Sequence, residues 1–218
     1  MVIKKIFKSS EDKESLGNYF RTKRFDFFFH RIKSMDKPIS ILDLGGKVNF
    51  WENRGLAGND NFKITVLNIQ SEISDYSNIK TVNGNVLKLK YFKENSFDIV
   101  FSNSVIEHLY DFENQKKMAR EVLRIGKNHI IQTPNKYFFI EPHYMIPFFQ
   151  FLPKKIQFQI LTKTRLSRLK KWDDQFARNY TEEIRLMTQK ELKEIFPKSN
   201  IFYEKFLGMT KSFTVHTF

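Results

Sequence analysis

The chain has no cysteine, which removes disulfides, thiolate metal centres and cysteine nucleophiles together and is compatible with a reducing compartment. It has no apolar run approaching the roughly 18 residues that a membrane span needs. Its opening, MVIKKIFKSSEDKES, contains no apolar core of signal-peptide length, so a cytoplasmic location is expected. Glycine is scarce, and the two phosphate-cradling patterns built on it, G-x-x-x-x-G-K-[ST] and G-x-G-x-x-G, are both missing. A nucleoside triphosphatase and a hydride-transferring dinucleotide enzyme are therefore disfavoured. No repeat or low-complexity linker interrupts the 218 residues, a length that suits one domain with one core. Acidic residues are outnumbered 24 to 37 by Lys and Arg, a formal charge of +13 that favours anionic partners such as phosphorylated substrates, acidic lipid surfaces or nucleic acid. Against nucleic acid, neither an RNA-binding motif nor an N-P-P-Y-type base-flipping loop occurs.

What is abundant is phenylalanine, at 24 residues, with clusters at Phe27 to Phe29 and Phe148 to Phe151 that need a partner to bury against. The first 37 residues are basic and aromatic and stop at Pro38, where a helix is expected to end. They read as an N-terminal helical cover. Five apolar runs follow, ISILDL, KITVLNI, IKTVNG, SFDIVFSN and KNHIIQT, nearly continuous rather than alternating, as parallel strands covered on both faces require. Asp111 is placed to cap a helix whose Met118, Ala119, Val122 and Ile125 recur at helical spacing before Gly126. Thr188 and Glu191 form a capping box for another helix, which Pro197 closes. NIFYEKFLG and KSFTVHTF read as a terminal hairpin turning at Met209 and Thr210. Residues 135–187, rich in proline and aromatics, read as an inserted cap. The expected fold is α/β and doubly wound: a mostly parallel, seven-stranded, Rossmann-like sheet with a C-terminal antiparallel hairpin and a helical, aromatic cap.

In such a sheet ligands bind beyond the carboxyl ends of the strands, near the strand where the order reverses. That puts ILDLGGKVNFW at the centre of the site, with Gly45 and Gly46 turning the backbone and Asp43 directing a carboxylate into the crevice. In order along the chain, ILDLGG, KITVLNI, VNGNVLKL, ENSFDIVFSNSVIEHL and REVLRIGKNHIIQTPN resemble the successive motifs of the class I S-adenosylmethionine-dependent methyltransferases, type 11-like, from Ile39 to Phe218. The resemblance implies a single domain over 1–218, S-adenosylmethionine as cofactor, and cofactor contacts from Asp43, Gly45, Gly46, Asn68, Asn85, Val86 and Asn103. Asn68 and Asn85 stand where the family usually has acids, for the ribose hydroxyls and the adenine loop. An amide there still offers hydrogen bonds but no negative charge.

Methyl transfer mainly asks the protein to align the nucleophile and remove a proton. His108, just after the fourth strand, and His143, in the cap sequence EPHYMIP, are the candidate bases. Each has an ordinary alternative: a helix-start or core hydrogen bond for His108, ordering of the cap for His143. Glu107 and His108 offer two metal donors, but neighbouring side chains diverge and no third ligand is evident in the sequence, so no metal is expected. Glu141, beside the cap histidine, is read as a solvated surface carboxylate or a partner to it. Phe50 and Trp51 are expected in the core. In the cap, Tyr137, Phe138, Phe139, Tyr144, Phe148 and Phe149 either line an acceptor pocket or bury the cap on the sheet. Arg165, Arg168, Lys170 and Lys171 are placed to meet an anionic substrate or surface. The expected activity is O-methylation of a small-molecule, saccharide or lipid-linked acceptor, with peripheral membrane contact allowed. Nucleic-acid methylation, or a noncatalytic binding protein keeping the fold, are the alternatives.

Overall fold

The computed structural model describes residues 16–70 and 72–218, so the opening basic segment lies outside the described residues. The chain divides into two compact units, Met1–Lys37 and Pro38–Phe218, at the proline where the first helix was expected to have ended. In the first unit, α1 (Leu16–Ile32) carries Phe20, Arg24, Phe28 and Ile32 buried at four-residue intervals along one face.

The second unit begins with β1 (Ile39–Leu44), the glycine turn and the short α2 (Val48–Glu52), followed by β2 (Phe62–Asn68), β3 (Ile79–Asn83) and β4 (Phe97–Asn103). A single 3-10 turn, Ile106–His108, leads to α3 (Phe112–Ile125) and β5 (Gly126–Pro134). The insertion holds the paired β6 (Ile140–Glu141) and β7 (Ile146–Pro147), a 3-10 turn at Phe149–Phe151, α4 (Lys154–Lys163) and α5 (Asp174–Glu183). The chain finishes with α6 (Gln189–Ile195), β8 (Asn200–Phe206) and β9 (Met209–His216).

β1 to β5 are parallel, and the seven-stranded order is β3-β2-β1-β4-β5-β9-β8, so the order reverses at β1. Leu42, Leu44, Leu67, Val100 and Ile131 pack on one face with Met118, Val122 and Ile125 of α3 and Leu192 and Ile195 of α6. Alternate residues Ile41, Ile64 and Ile99, in register across β1, β2 and β4, are buried on the other face. Burial on both faces is why these strands read as unbroken apolar runs.

Asp111 caps α3 by accepting the N–H of Asn114 at 2.7 Å, and Thr188 and Glu191 form the reciprocal capping box of α6. Gly126 follows α3 as expected, but not as a left-handed cap: its φ is −98° and it starts β5 at once. A Cβ there would stand 2.7 Å from both Asn128 O and Val100 Cγ2, so close packing is what requires glycine. The insertion leaves and rejoins the sheet at one point, where Asn135 bridges Met187 and Lys136 N–H donates to Met187 O at 3.0 Å. It has its own buried cluster of Tyr144, Phe149, Leu161, Trp172 and Ala177.

The terminal hairpin turns at Leu207 and Gly208, two residues before the expected Met209 and Thr210. Both turn residues are left-handed, at φ +50° and +79°, as a two-residue hairpin turn with mirror-image geometry needs, and Leu207 hides this because leucine rarely adopts it. Since Leu207 is also exposed, Leu207→Asn should stabilise the protein by roughly 0.5–1 kcal/mol, measured by urea unfolding.

Candidate active site

The turn after β1 lies at the carboxyl edge of the sheet, where β1 parts β2 from β4. Gly45 takes φ +75°, and its N–H donates to Leu67 O at 2.7 Å. A Cβ on Gly45 would come within 2.6 Å of Val105 Cγ2, so the turn packs directly on the loop that follows β4. The N–H of Gly46 is left without an acceptor among the described residues and is offered at this edge. The next helix-start amide is already engaged: Val48 N–H donates to Glu72 at 2.9 Å.

Asp43 does not face a crevice. Its side chain is buried beneath the turn, where Oδ2 accepts the Trp51 indole N–H at 2.8 Å and Oδ1 has no partner. A Cβ on Gly46 would overlap that carboxylate at 1.8 Å, so Gly46 is glycine because Asp43 lies under it. Burial pushes the Asp43 carboxyl up to about 7, with the Trp51 bond opposing the shift. Trp51 is in the core as expected, against Phe101 at 5.3 Å.

Asn68 is turned inward as well. Its amide donates to the carbonyls of Gly46 at 2.8 Å and Gly45 at 3.3 Å, clamping the glycine turn, while its oxygen accepts Gln70 N–H at 3.3 Å. Both donors are spent on the turn, which a carboxylate at this position could not supply. Asn85 is exposed and its Oδ1 accepts Leu87 N–H at 2.8 Å, leaving its NH2 and the N–H of Val86 pointing to no acceptor among the described residues. The Val86 side chain belongs to the core. Asn103 ends β4, half-buried, at the same edge.

Beyond Asn103 the backbone passes through Ser104 at φ +58°, a left-handed conformation costly for serine, held by Ser104 N–H to Gln132 O at 3.1 Å and Ser104 Oγ to Gln132 Oε1 at 2.8 Å. The following turn leaves His108 half-buried at the rim and buries Glu107. Glu107 Oε2 accepts the Thr133 hydroxyl at 2.9 Å, while Oε1 is buried without a partner. The His108 Nδ1–H donates to Glu183, at the end of α5, at 2.6 Å. His143, from the turn between β6 and β7, stands edge to face with His108, ring centres 5.0 Å apart, and its Nδ1–H donates to the buried Glu141 at 2.6 Å. Burial, the largest influence on His143, pulls its basicity down, but Glu141 and then Glu107 outweigh it and hold the imidazole above its ordinary value. Tyr180 lies near 6 Å from both rings, its phenol pushed up to about 12 by burial and then by Glu141.

Thus the structure brings both candidate histidines together across 35 positions of sequence and adds Glu141, Glu183 and Tyr180 around them. Glu141 is buried, not solvated. Of the cap aromatics, Phe138, Tyr144 and Phe149 are buried, whereas Tyr137 and Phe148 are exposed; Arg165, Arg168, Lys170 and Lys171 are exposed. Glu183 and Tyr180 carried no motif in the sequence; Glu72 could not be told from any surface acid.

Two variants test the turn. Asn68→Asp, which puts the family's usual acid back, should face a carboxylate toward two carbonyls and lower stability by about 1–3 kcal/mol in thermal unfolding, without tightening cofactor binding. Asp43→Asn tests the buried carboxyl. With its folded value near 7 against an ordinary 3.8, the native state holds the proton more tightly, so ionisation penalises the fold increasingly as pH climbs from 3.8 to about 7 and then levels off. Relative to the parent, Asp43→Asn should therefore gain stability across that window, at ~1.4 kcal/mol per pKa unit at most, read from urea midpoints at stepped pH.

A family model described as a methyltransferase domain matches residues 54–129, the segment from just after α2 to the first residues of β5. No curated protein matches the sequence. Among solved structures, a possible exported protein from Bordetella parapertussis aligns with TM-score 0.54 at 13% identity, covering 89% of this chain and 66% of that one, so the chain spans just under two thirds of its length. An S-adenosylmethionine-dependent methyltransferase from Methanosarcina mazei aligns with TM-score 0.50 at 14% identity over 87% of this chain and 95% of that one. The 1,6-didemethyltoxoflavin N1-methyltransferase of Burkholderia thailandensis, solved with its acceptor and S-adenosylhomocysteine, aligns with TM-score 0.51 at 10% identity over 89% and 75%. At these identities the structures speak for the fold alone, and the family model, which covers 76 of the 218 residues, marks that segment as similar to a methyltransferase domain.

Proposed function

We propose that this chain is an S-adenosylmethionine-dependent methyltransferase that transfers the methyl group to a hydroxyl oxygen of a small-molecule, saccharide or lipid-linked acceptor, and that His108 and His143 activate that oxygen. The observation that carries the reading is the paired imidazoles, each with its Nδ1–H held by a carboxylate, beside the loop that packs on the glycine turn. A carboxylate on Nδ1 fixes the tautomer and turns Nε2, the basic nitrogen, toward the ligand side. A base so disposed is needed for a hydroxyl, which must lose its proton to become a good nucleophile.

When bound, S-adenosylmethionine supplies a methyl carbon already activated by the sulfonium. The unpaired Gly46 N–H, with the Gly45 bend and Asn103, suits the amino-acid tail of the cofactor; the Asn85 NH2 and Val86 N–H suit the edge of the adenine. Asp43 and Asn68 act one step back, supporting the turn from below and behind. The acceptor side is bounded by the insertion, where exposed Leu166 and Leu169 stand among Arg165, Arg168, Lys170 and Lys171. Apolar tips within a cationic fringe favour an amphiphilic, anionic acceptor or the lipid surface that carries one. No described helix is long and apolar enough to cross a membrane.

The test is a transfer assay with methyl-labelled S-adenosylmethionine against matched hydroxyl and amine acceptors, including sugar and lipid-linked alcohols. Label should appear in ethers. On the acceptor so found, His108→Ala and His143→Ala should each lower turnover by roughly 10²–10⁴-fold while calorimetric affinity for S-adenosylhomocysteine stays unchanged. Label confined to amines, or turnover indifferent to both histidines, would overturn the assignment.

A further inference from the structure

We infer that Glu107, His108 and His143 form the binding site of one divalent first-row transition metal ion. One donor atom from each of the three lies within 4.8 Å of the other two, and this is the single such convergence of three histidine or acidic side chains found among the described residues. Adjacency of Glu107 and His108 had argued against a metal for want of a third ligand. The insertion supplies it by folding His143 back over the rim.

Four further features fit an ion and are hard to account for without one. Glu107 is fully buried and keeps Oε1 free of any hydrogen bond, a costly state for a carboxylate oxygen that a bound cation would relieve. Both imidazoles spend Nδ1 on a carboxylate and leave Nε2 without a hydrogen-bond partner among the described residues, the outer-sphere arrangement that orients metal-binding histidines and raises their donor strength. Three carboxylates, Glu107, Glu141 and Glu183, surround two imidazoles. The cations nearby point elsewhere: Arg168 donates to the carbonyls of His143 and Pro142, the Arg185 side chain to Gln115 and Glu191, and Lys154 to the carbonyl of Thr181. Finally, the turns carrying the donors are strained, with Ser104 and Tyr110 flanking Glu107 and His108, and Met145 two residues after His143, all at φ near +60°.

Two imidazoles with one carboxylate suit zinc, iron, cobalt or manganese better than magnesium, which prefers an all-oxygen shell. Ligands about 2.1 Å from a tetrahedral ion stand roughly 3.4 Å apart, so closure asks the three side chains to draw together by at most about 1.4 Å. The ion's open position would take the acceptor oxygen. There the imidazoles act through the ion and not as free bases: the coordinated hydroxyl releases its proton to water, the oxygen lone pair forms the C–O bond, and the electrons of the S–C bond stay on sulfur, giving a methyl ether, the thioether and one proton. Only this catalytic role rests on the function proposed above; the binding of the ion does not.

The whole chain, stripped with chelator, is titrated with Zn²⁺ by calorimetry and with Co²⁺ by visible absorption. One equivalent should bind, with cobalt bands of nitrogen and oxygen ligation, and Mg²⁺ at the same concentration should not displace it. Glu107→Gln and His143→Gln should each weaken binding by 10-fold or more, and Glu141→Gln by roughly 10–100-fold, with S-adenosylhomocysteine affinity retained as the check on folding. No stoichiometric binding by the parent, displacement by equal Mg²⁺, or undiminished binding in folded Glu107→Gln and His143→Gln would overturn the site. A bound ion with no hydroxyl methylated refutes the proposed function alone; hydroxyl methylation by a chain that binds no ion refutes the metal site alone.

Discussion

Gly45 and Val105 touch where no side chain fits between them, and this contact joins the two halves of the candidate site. One half is the bend after β1, tied to β2 through Gly45 N–H and Leu67 O and gripped by Asn68. The other is the loop after β4, where Glu107 and His108 begin. Because β1 lies between β2 and β4 in a parallel sheet, the tips of both neighbours end at one level, and the contact fixes the glycine turn against the loop that carries Glu107 and His108. A larger residue at 45 would force a left-handed strain and push the two apart at once.

The sheet was readable because burial on two faces writes itself into composition: runs such as ISILDL and KNHIIQT leave no polar alternation to misread. Caps were readable for a similar reason, since Asp111 and Thr188 act within three residues of themselves. What lay beyond reach was direction and distance. Asp43 and Asn68 sit at the positions where they were expected, but which way each side chain faces depends on Trp51 and on the carbonyls of the turn, and no pattern encodes that. The joining of His143 to Glu107 and His108 depends on how a 50-residue excursion returns, and the hairpin turn was displaced by two residues because Leu207 adopts a conformation its type seldom takes.

From the sequence, the amides at 68 and 85 read as cofactor contacts that lack the negative charge of the acids usual there. Their hydrogen bonds give each a different place. Asn68 uses its two N–H groups as a staple across the bend, which an acid could not do, and Asn85 shapes its own turn with its oxygen while keeping its nitrogen outward. The change at 68 removes charge from a place where the chain's own carbonyls already crowd, so it is a consequence of how this turn is built rather than a sign of decay.

The insertion departs and returns beside the bridge between Asn135 and Met187, packs around its own aromatic cluster, and is tied to the loop after β4 through Tyr110 N–H to Glu183 O and Arg185 N–H to Glu107 O. A segment that leaves and rejoins the chain at neighbouring points can be lengthened, reshaped or exchanged during evolution while the sheet is left alone. Since it also carries His143, Glu141 and Glu183, such an exchange would remove one imidazole of the pair and the carboxylates that orient both, and leave the glycine turn and its Asn68 clamp in place.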